Sequence, residues 1–402
     1  MADSKTARSG ELAGLTIVHA ATSANMLTAF GRVMASRIVE EGGELYLLAS
    51  SRPIYGRPAD LDELRGMGGE PLTVPLDNNL LPWNLLSNTV RLWHLFRRLR
   101  PDIVHTRASV MGIVGRLAAW LARVPVVVHH QDDLHAREAN LSPWKRRIST
   151  AVERFLANRS DQTFVVSQAL ADAAEQAGFD PNRVTNVGHD LSFTMREGAK
   201  NPPDPTSINE LLGKYGITTE HFVVGAITRL EPHKGVDTLI EAAAQVSAAR
   251  PDIRFVIRGR GPERDHLIKL IAEKDLAEQV VLIEGWLSDD DLVALYQRFN
   301  LFALPTRREG FGMAFAEAML LGSVPVAPDV APVNEVVTPS TGLLVSPTRS
   351  AFAEAILWAA QHPNELTNLR EKGRAQSGAR WGGTAAADRV IETYDKLFGS
   401  GA

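Results

Sequence analysis

Two glutamates, Glu309 and Glu317, stand eight positions apart in REGFGMAFAEAML, residues 308–320, one before a Gly-Phe-Gly bend and one after it. In one continuous helix, eight steps would separate the carboxylates by about 12 Å of rise and about 80° of rotation, too far to share a site. Gly310 and Gly312 instead put Glu309 on a loop and start the helix near Met313, with Glu317 a turn in from its N-terminus. A carboxylate beside a phosphate-binding helix end is placed to take a pair of hydroxyls such as a ribose diol, and Glu309 would meet the group beyond the phosphates. The phosphate site itself is legible in RLEPHKGVDTLIEAAAQV, where Arg229 and Lys234 flank a proline-containing turn and a helix begins near Gly235. Charge-assisted contacts of about 1.5–3 kcal/mol each suit these two cations to a diphosphate. Taken singly, the same residues also read as solvated surface charges. Glycoside hydrolysis, the other use of paired carboxylates, needs both to flank one bond at about 5–9.5 Å and gives the cationic turn no purpose.

The neighbouring motifs narrow the chemistry. In RGRGPERDHL, Gly259 and Gly261 let backbone approach a nucleotide closely, and Pro262 with Glu263 fits a helix start. Arg264 stands where the third glycine of a dinucleotide fingerprint belongs, and the first strand's turn, HAATSANMLTAFG, has no glycine cluster. Hydride transfer with a nicotinamide cofactor is disfavoured. Asp289 to Asp291 follow Ser288 as an N-cap and acidic first turn would, so no metal site is assigned and no cofactor is expected.

These residues need strands that end beside them. Short β-branched runs alternate with helical stretches: 15–20, 44–50, 102–106, 124–130 and 162–167 in one half, and 222–228, 254–259, 279–285, 301–306, 324–328 and 342–346 in the other. Strand and helix alternating twice predicts an α/β fold of two Rossmann-like domains facing a central cleft at the carboxyl ends of their sheets. The break, REGAKNPPDPTSIN, residues 196–209, has three prolines and no apolar period and reads as a linker between domains 1–195 and 210–383. The stretch TAAADRVIETYDKLFG reads as a last helix, about 384–402. A chain of 402 residues with 45% apolar side chains can fill two cores, and its net charge of −4 supplies no basic field for nucleic acid. Without cysteine there is neither disulfide nor thiolate site, and a cytoplasmic setting is the expectation. The most apolar stretch, 111–130, is broken by Arg116 and Arg123 and does not read as a membrane span.

EGFGMAFAE resembles the E-x7-E motif of retaining GT-B glycosyltransferases, particularly family 4, and TRLEPHKGVDTLIEA, RGRGPERDHL and EAMLLGSVPVAP resemble that family's segments in the same order. RPDIVHTRASVMGIVGRLAAWLARVPVVVHH and ERFLANRSDQTFVVSQAL extend the likeness to residues 15–395. The resemblance implies transfer of a sugar from a UDP- or GDP-sugar to a glycan, lipid-linked or small-molecule acceptor, with retention and without a metal. It further implies that Arg229 and Lys234 bind the diphosphate, Glu317 the ribose and Glu309 the reacting sugar. Backbone around Gly310, Phe311, Gly312, Met313 and Ala314 would touch sugar and phosphate, and Gly259, Arg260, Gly261, Trp286 and Leu287 would line the base pocket. An epimerase, a phosphorylase or a silent sugar-binding protein of the same fold are the other readings.

Several positions depart from the family pattern. Ala21 to Asn25 replace a Gly-Gly pair after the first strand, leaving Ser23 and Asn25 as polar loop residues, and His129, His130 or Asp132 fills the position of a donor-contacting histidine. Relatives with lipid-linked acceptors touch anionic membranes through basic helices, and residues 84–100, with Leu86, Val90, Trp93 and Phe96 among Arg91, Arg97, Arg98 and Arg100, fit that pattern. The last helix would cross back to the first domain. Oligomeric state is not legible.

Overall fold

Most of the apolar runs become strands because they are bounded by turn residues and buried on both faces, as parallel strands require. The computed structural model describes residues 10–52, 61–79, 81–107, 109–134 and 142–399. The chain divides into two compact units, Met1–Ser192 with Thr384–Ala402, and Phe193–Gly383.

The first unit holds β1 (Thr16–Ala21), β2 (Glu44–Ser50), β3 (Glu70–Val74), β4 (Ile103–Arg107), β5 (Val126–Gln131), β6 (Gln162–Val165) and β7 (Val184–Asn186) in the order β3-β2-β1-β4-β5-β6-β7. Every pairing is parallel. Alternation along the strands makes a core on each face. Ile17, Leu47 and Ile103 meet the helices Ala24–Glu40 and Ala385–Gly399 on one side. Val18, Leu48 and Val104 meet the helices Pro82–Leu99 and Ser109–Ala122 on the other. The last helix returns to this unit and buries Tyr394 completely, its hydroxyl 2.5 Å from Nδ1 of His105.

The second unit holds β8 (Phe222–Arg229), β9 (Ile253–Arg260), β10 (Val280–Ile283), β11 (Leu301–Ala303), β12 (Val324–Pro328) and β13 (Leu343–Val345), also all parallel, in the order β10-β9-β8-β11-β12-β13. Strand order reverses direction between β8 and β11, and in the first unit between β1 and β4. Open α/β sheets bind ligands at the carboxyl ends of strands flanking such a reversal.

The stretch expected as a linker is not one. Residues Phe193–Lys200 and Thr206–Gly213 are helices of the second unit. A Cβ on Gly198 would lie 2.6 Å from Val293, Ile208 and Leu212 are buried, and Gln297 donates to the Gly198 carbonyl. The three prolines fall in the short break between these helices, where a missing N–H costs nothing. In helix Pro82–Leu99, Phe96 is buried and Arg91 donates to the Pro75 carbonyl, so part of the expected membrane-facing pattern is turned inward. No described helix is long and apolar enough to cross a membrane.

Tyr394→Ala should leave a cavity at the junction of the last helix and β4. We expect a loss of about 3–5 kcal/mol in urea unfolding of the first unit. A loss below about 1 kcal/mol would contradict the anchoring of this helix.

Candidate functional site

The site of the second unit begins where β8 ends. A 3-10 turn, Pro232–Lys234, leads to Gly235 at φ +71° and then to helix Val236–Ala249. A Cβ on Gly235 would stand 1.9 Å from the Pro305 carbonyl, so only glycine lets this loop touch the loop after β11. Two further bonds clamp them together: the Arg307 N–H and the Thr306 hydroxyl both donate to the His233 carbonyl, at 2.7 and 3.2 Å. The clamp brings Lys234 Nζ to 2.8 Å from Glu309 Oε1, with the two side chains 13% and 12% exposed. Arg229 ends β8 in the open, paired with Glu231 at 2.6 Å. Lys234 of the cationic turn and the first glutamate of the bend are therefore in contact, while Arg229 pairs with Glu231.

Gly312, at φ +103°, caps helix Met313–Leu320 where the Gly-Phe-Gly bend predicts its start. Its first N–H groups, at Met313 and Ala314, have no intrahelical acceptor, while Gly312 already takes the Phe315 N–H. Glu317 lies one turn in, mostly enclosed, and accepts the Tyr296 hydroxyl at 3.0 Å. Burial raises its pKa from 4.5 to about 7, against the Tyr296 bond, which lowers it. Burial, then the Glu317 charge, pushes the Tyr296 phenol well above its ordinary value. Tyr296 escapes sequence reading, because in DDDLVALYQR it occupies an apolar-period position and reads as core. Its buried hydroxyl, which needs a partner, was the available signal.

At the end of β9 the guanidinium of Arg260 lies 4.8 Å over the exposed Trp286 ring, with Leu287 half-buried next to it. Gly259 and Gly261 meet a packing demand of their own. Cβ atoms there would fall 2.1 and 2.2 Å from the carbonyls of Thr228 and Leu230, so the glycines are demanded by the chain leaving β8. Ser288 caps helix Asp289–Arg298 by accepting the Asp291 N–H, with Asp289 to Asp291 in its first turn.

In the first unit the strand-end residues separate. His129 is 3% exposed, bonded to the Thr106 hydroxyl at 2.9 Å, and its ring lies where a Cβ on Gly112 would be. This corrects its expected role: the imidazole faces the core under helix Ser109–Ala122 and is held neutral by burial, and then by Arg116. His130, on the opposite face, is stacked on His105 and equally enclosed. Asp132 is the strand-end group that reaches solvent. Its carboxylate holds Arg107, the last residue of β4, through Nε at 2.9 Å and Nη2 at 2.6 Å, and is 35% exposed. Ser23 caps helix Ala24–Glu40 by position without a side-chain bond, and Asn25 lies in its first turn. Among the described residues no cluster of histidine and carboxylate side chains could hold a metal ion.

Residues 207–376 match the model of the glycosyl transferases group 1, and residues 29–188 that of a glycosyl transferase 4-like domain. The chain is 25% identical to an alpha-D-kanosaminyltransferase of Streptomyces kanamyceticus, over 89% of this chain and 90% of that protein. It is 29% identical to a D-inositol 3-phosphate glycosyltransferase of Rhodococcus jostii, over 79% and 72%. Among solved structures it is similar to Anabaena HepE in complex with UDP and glucose, with a TM-score of 0.77 and 21% identity, covering 95% of this chain and all of that one.

Glu317 sets a pH dependence whose sign follows from its environment. With its pKa raised from 4.5 to about 7 on folding, the carboxyl binds its proton more tightly in the native state. Its contribution is thus fully present below about pH 4.5 and lost as pH rises through about 7. Glu317→Gln, isosteric and unable to ionise, should gain on the order of 2–3 kcal/mol over wild type between pH 5 and pH 8 in chemical denaturation. Parallel stability curves for the two proteins would contradict this environment.

Proposed function

We propose that this chain, which belongs to the group 1 glycosyl transferases and is a glycosyltransferase of GT-B architecture, moves a sugar from a UDP- or GDP-sugar to its acceptor with retention of configuration and without a bound metal. The observation that carries this reading is the convergence at the β8 and β11 ends. Lys234, Glu309, the free N–H groups of helix Met313–Leu320 and Glu317 follow one another as the parts of one extended donor would. The diphosphate meets Arg229, Lys234 and the helix N-terminus, which favour the negative charge that grows as it departs. Ionised Glu317 accepts the ribose hydroxyls, and Glu309 lies at the sugar. Trp286, stacked with Arg260, offers an aromatic face to the base.

In the reaction the bond from the anomeric carbon to the diphosphate oxygen breaks and the acceptor oxygen bonds to that carbon on the same face. The acceptor proton passes to the departing phosphate. No side chain of the second-unit cluster is a nucleophile poised by a base, so positioning and electrostatic stabilisation carry the rate. A relative named for D-inositol 3-phosphate supports a small-molecule acceptor, and with one named for the transfer of kanosamine it disfavours an epimerase or a phosphorylase. The acceptor is assigned to the first unit, where Asp132 presents a fixed carboxylate to hydroxyl or amino groups.

Lys234→Ala and Glu317→Ala should each lower nucleotide-sugar turnover by about 10- to 100-fold, the loss of one charge-assisted contact, with circular dichroism unchanged. Full turnover in both variants would refute the donor assignment. Turnover unaffected by EDTA, and an unchanged anomeric configuration in the product by NMR, test the metal-free and retaining parts of the reading.

A further inference from the structure

The phenol that meets Glu317 is held by both its ring and its backbone. Tyr296, on the buried face of helix Asp289–Arg298, is 1% exposed. Its ring lies 5.8 Å from that of Phe302 and edge-on to Phe299 at 6.3 Å, and Phe302 in turn stands edge-on to Phe315 of helix Met313–Leu320 at 5.5 Å. Its carbonyl accepts the hydroxyl of Ser323, a buried residue just past the end of that same helix. Ring and backbone are thus packed against the segment that carries Glu317, and the hydroxyl reaches the carboxylate with little ordering left to do.

The bond distinguishes the two carboxylate oxygens. Oε2 accepts the phenol at 3.0 Å. Oε1 takes no hydrogen bond from any described residue and is not enclosed, so it is open to a donor arriving from solvent. An ionised carboxylate has about four lone-pair sites, and two adjacent hydroxyls match those that remain.

The elements packed against helix Met313–Leu320 bring the carboxylate no other partner among the described residues. Helix Pro363–Trp381 presents Gly373 to Met319, and its Ser377 donates to the Ala316 carbonyl. Helix Phe193–Lys200 buries Met195, and its Glu197 and Lys200 pair with each other. β12 is apolar, and Arg258 of β9 acts on the phenol. None of these charges, nor Arg196, Lys234 or Glu309, sets the protonation of Glu317. Burial raises its pKa to about 7, and the Tyr296 bond opposes the rise.

We propose, resting on the reading of Glu317 as the ribose acceptor, that Tyr296 is a positioning residue for the donor: it fixes the carboxylate through Oε2 and turns Oε1 to the ribose hydroxyls. A proton on Oε1 occupies the place those hydroxyls need, so donor and proton exclude one another. Below about pH 7 each donor that binds sends the carboxyl proton to solvent, and above it the carboxylate is already bare. Without the phenol, burial alone keeps the carboxyl protonated through neutral pH and the ribose site closed.

Calorimetric titration of UDP-glucose and GDP-mannose between pH 5.5 and pH 8.5, in buffers of different ionisation heat, tests this with wild type, Tyr296→Phe and Glu317→Gln. These esters lack the phosphate ionisation near pH 6 that would blur the profile. For the ligand that wild type binds, affinity should fall about tenfold per pH unit below about pH 7, with up to one proton released. Tyr296→Phe keeps the ring, and its circular dichroism should be unchanged. Its profile should move up by about one pH unit, giving about tenfold weaker binding at pH 6 and near-equal binding at pH 8.5, because the lost bond favoured the charged form. A loss equal at every pH, as a merely structural phenol would give, or a profile that coincides with wild type would overturn the role of Tyr296. Glu317→Gln should bind about tenfold more weakly than wild type at pH 8.5 and release no proton. If Glu317→Gln binds as wild type does, or wild type binds neither ligand, the ribose assignment itself falls, and the role of Tyr296 with it.

Discussion

The Lys234 ammonium, 2.8 Å from the Glu309 carboxylate with both side chains nearly enclosed, joins the loops after β8 and β11 at the point where the second sheet reverses its strand order. Neither charge could stay in so little water without the other. Much of the local structure exists to permit this contact. Gly235 removes the side chain that would hold the loops apart, His233 offers its carbonyl to the facing backbone, and Gly312 turns the chain so that helix Met313–Leu320 starts beside the pair. In the proposed reading the pair also links events along the donor. A diphosphate claiming Lys234 must share it with Glu309, so seating the phosphates and freeing the carboxylate at the sugar are one rearrangement.

The two glutamates of the bend differ in chemistry because their surroundings differ. Glu309 holds the Lys234 ammonium, whereas burial favours the proton on Glu317 against the hydrogen bond that the Tyr296 phenol donates. A carboxyl raised to about 7 is poised: partners that donate hydrogen bonds, as a ribose diol would, draw it into the ionised state. The same seven residues between them that place one on a loop and the other within a helix thus also give them different partners.

Strand runs such as 44–50 and 324–328 were legible to the residue, because buried parallel strands are uninterrupted apolar segments. β3 was not: Glu70–Val74 is half exposed at the sheet edge, includes Pro71, and lacks that signature. The prolines at 202, 203 and 205 misled in the opposite direction, marking the gap between two helices rather than a linker. The bend, the cationic turn and the start at Met313 could be read because glycine and proline act locally. That Lys234 meets Glu309, that Tyr296 holds Glu317 and that His129 turns inward depend on contacts between segments far apart in the chain, which no local pattern encodes.

The central claim is that Glu309 and a donor diphosphate compete for Lys234, and calorimetric titration of UDP and GDP into wild type and Glu309→Gln tests it most directly. Removing the carboxylate charge should release Lys234, so at least one nucleotide should bind the variant more tightly while sugar transfer falls. Weaker or unchanged nucleotide binding together with unimpaired transfer would contradict the account.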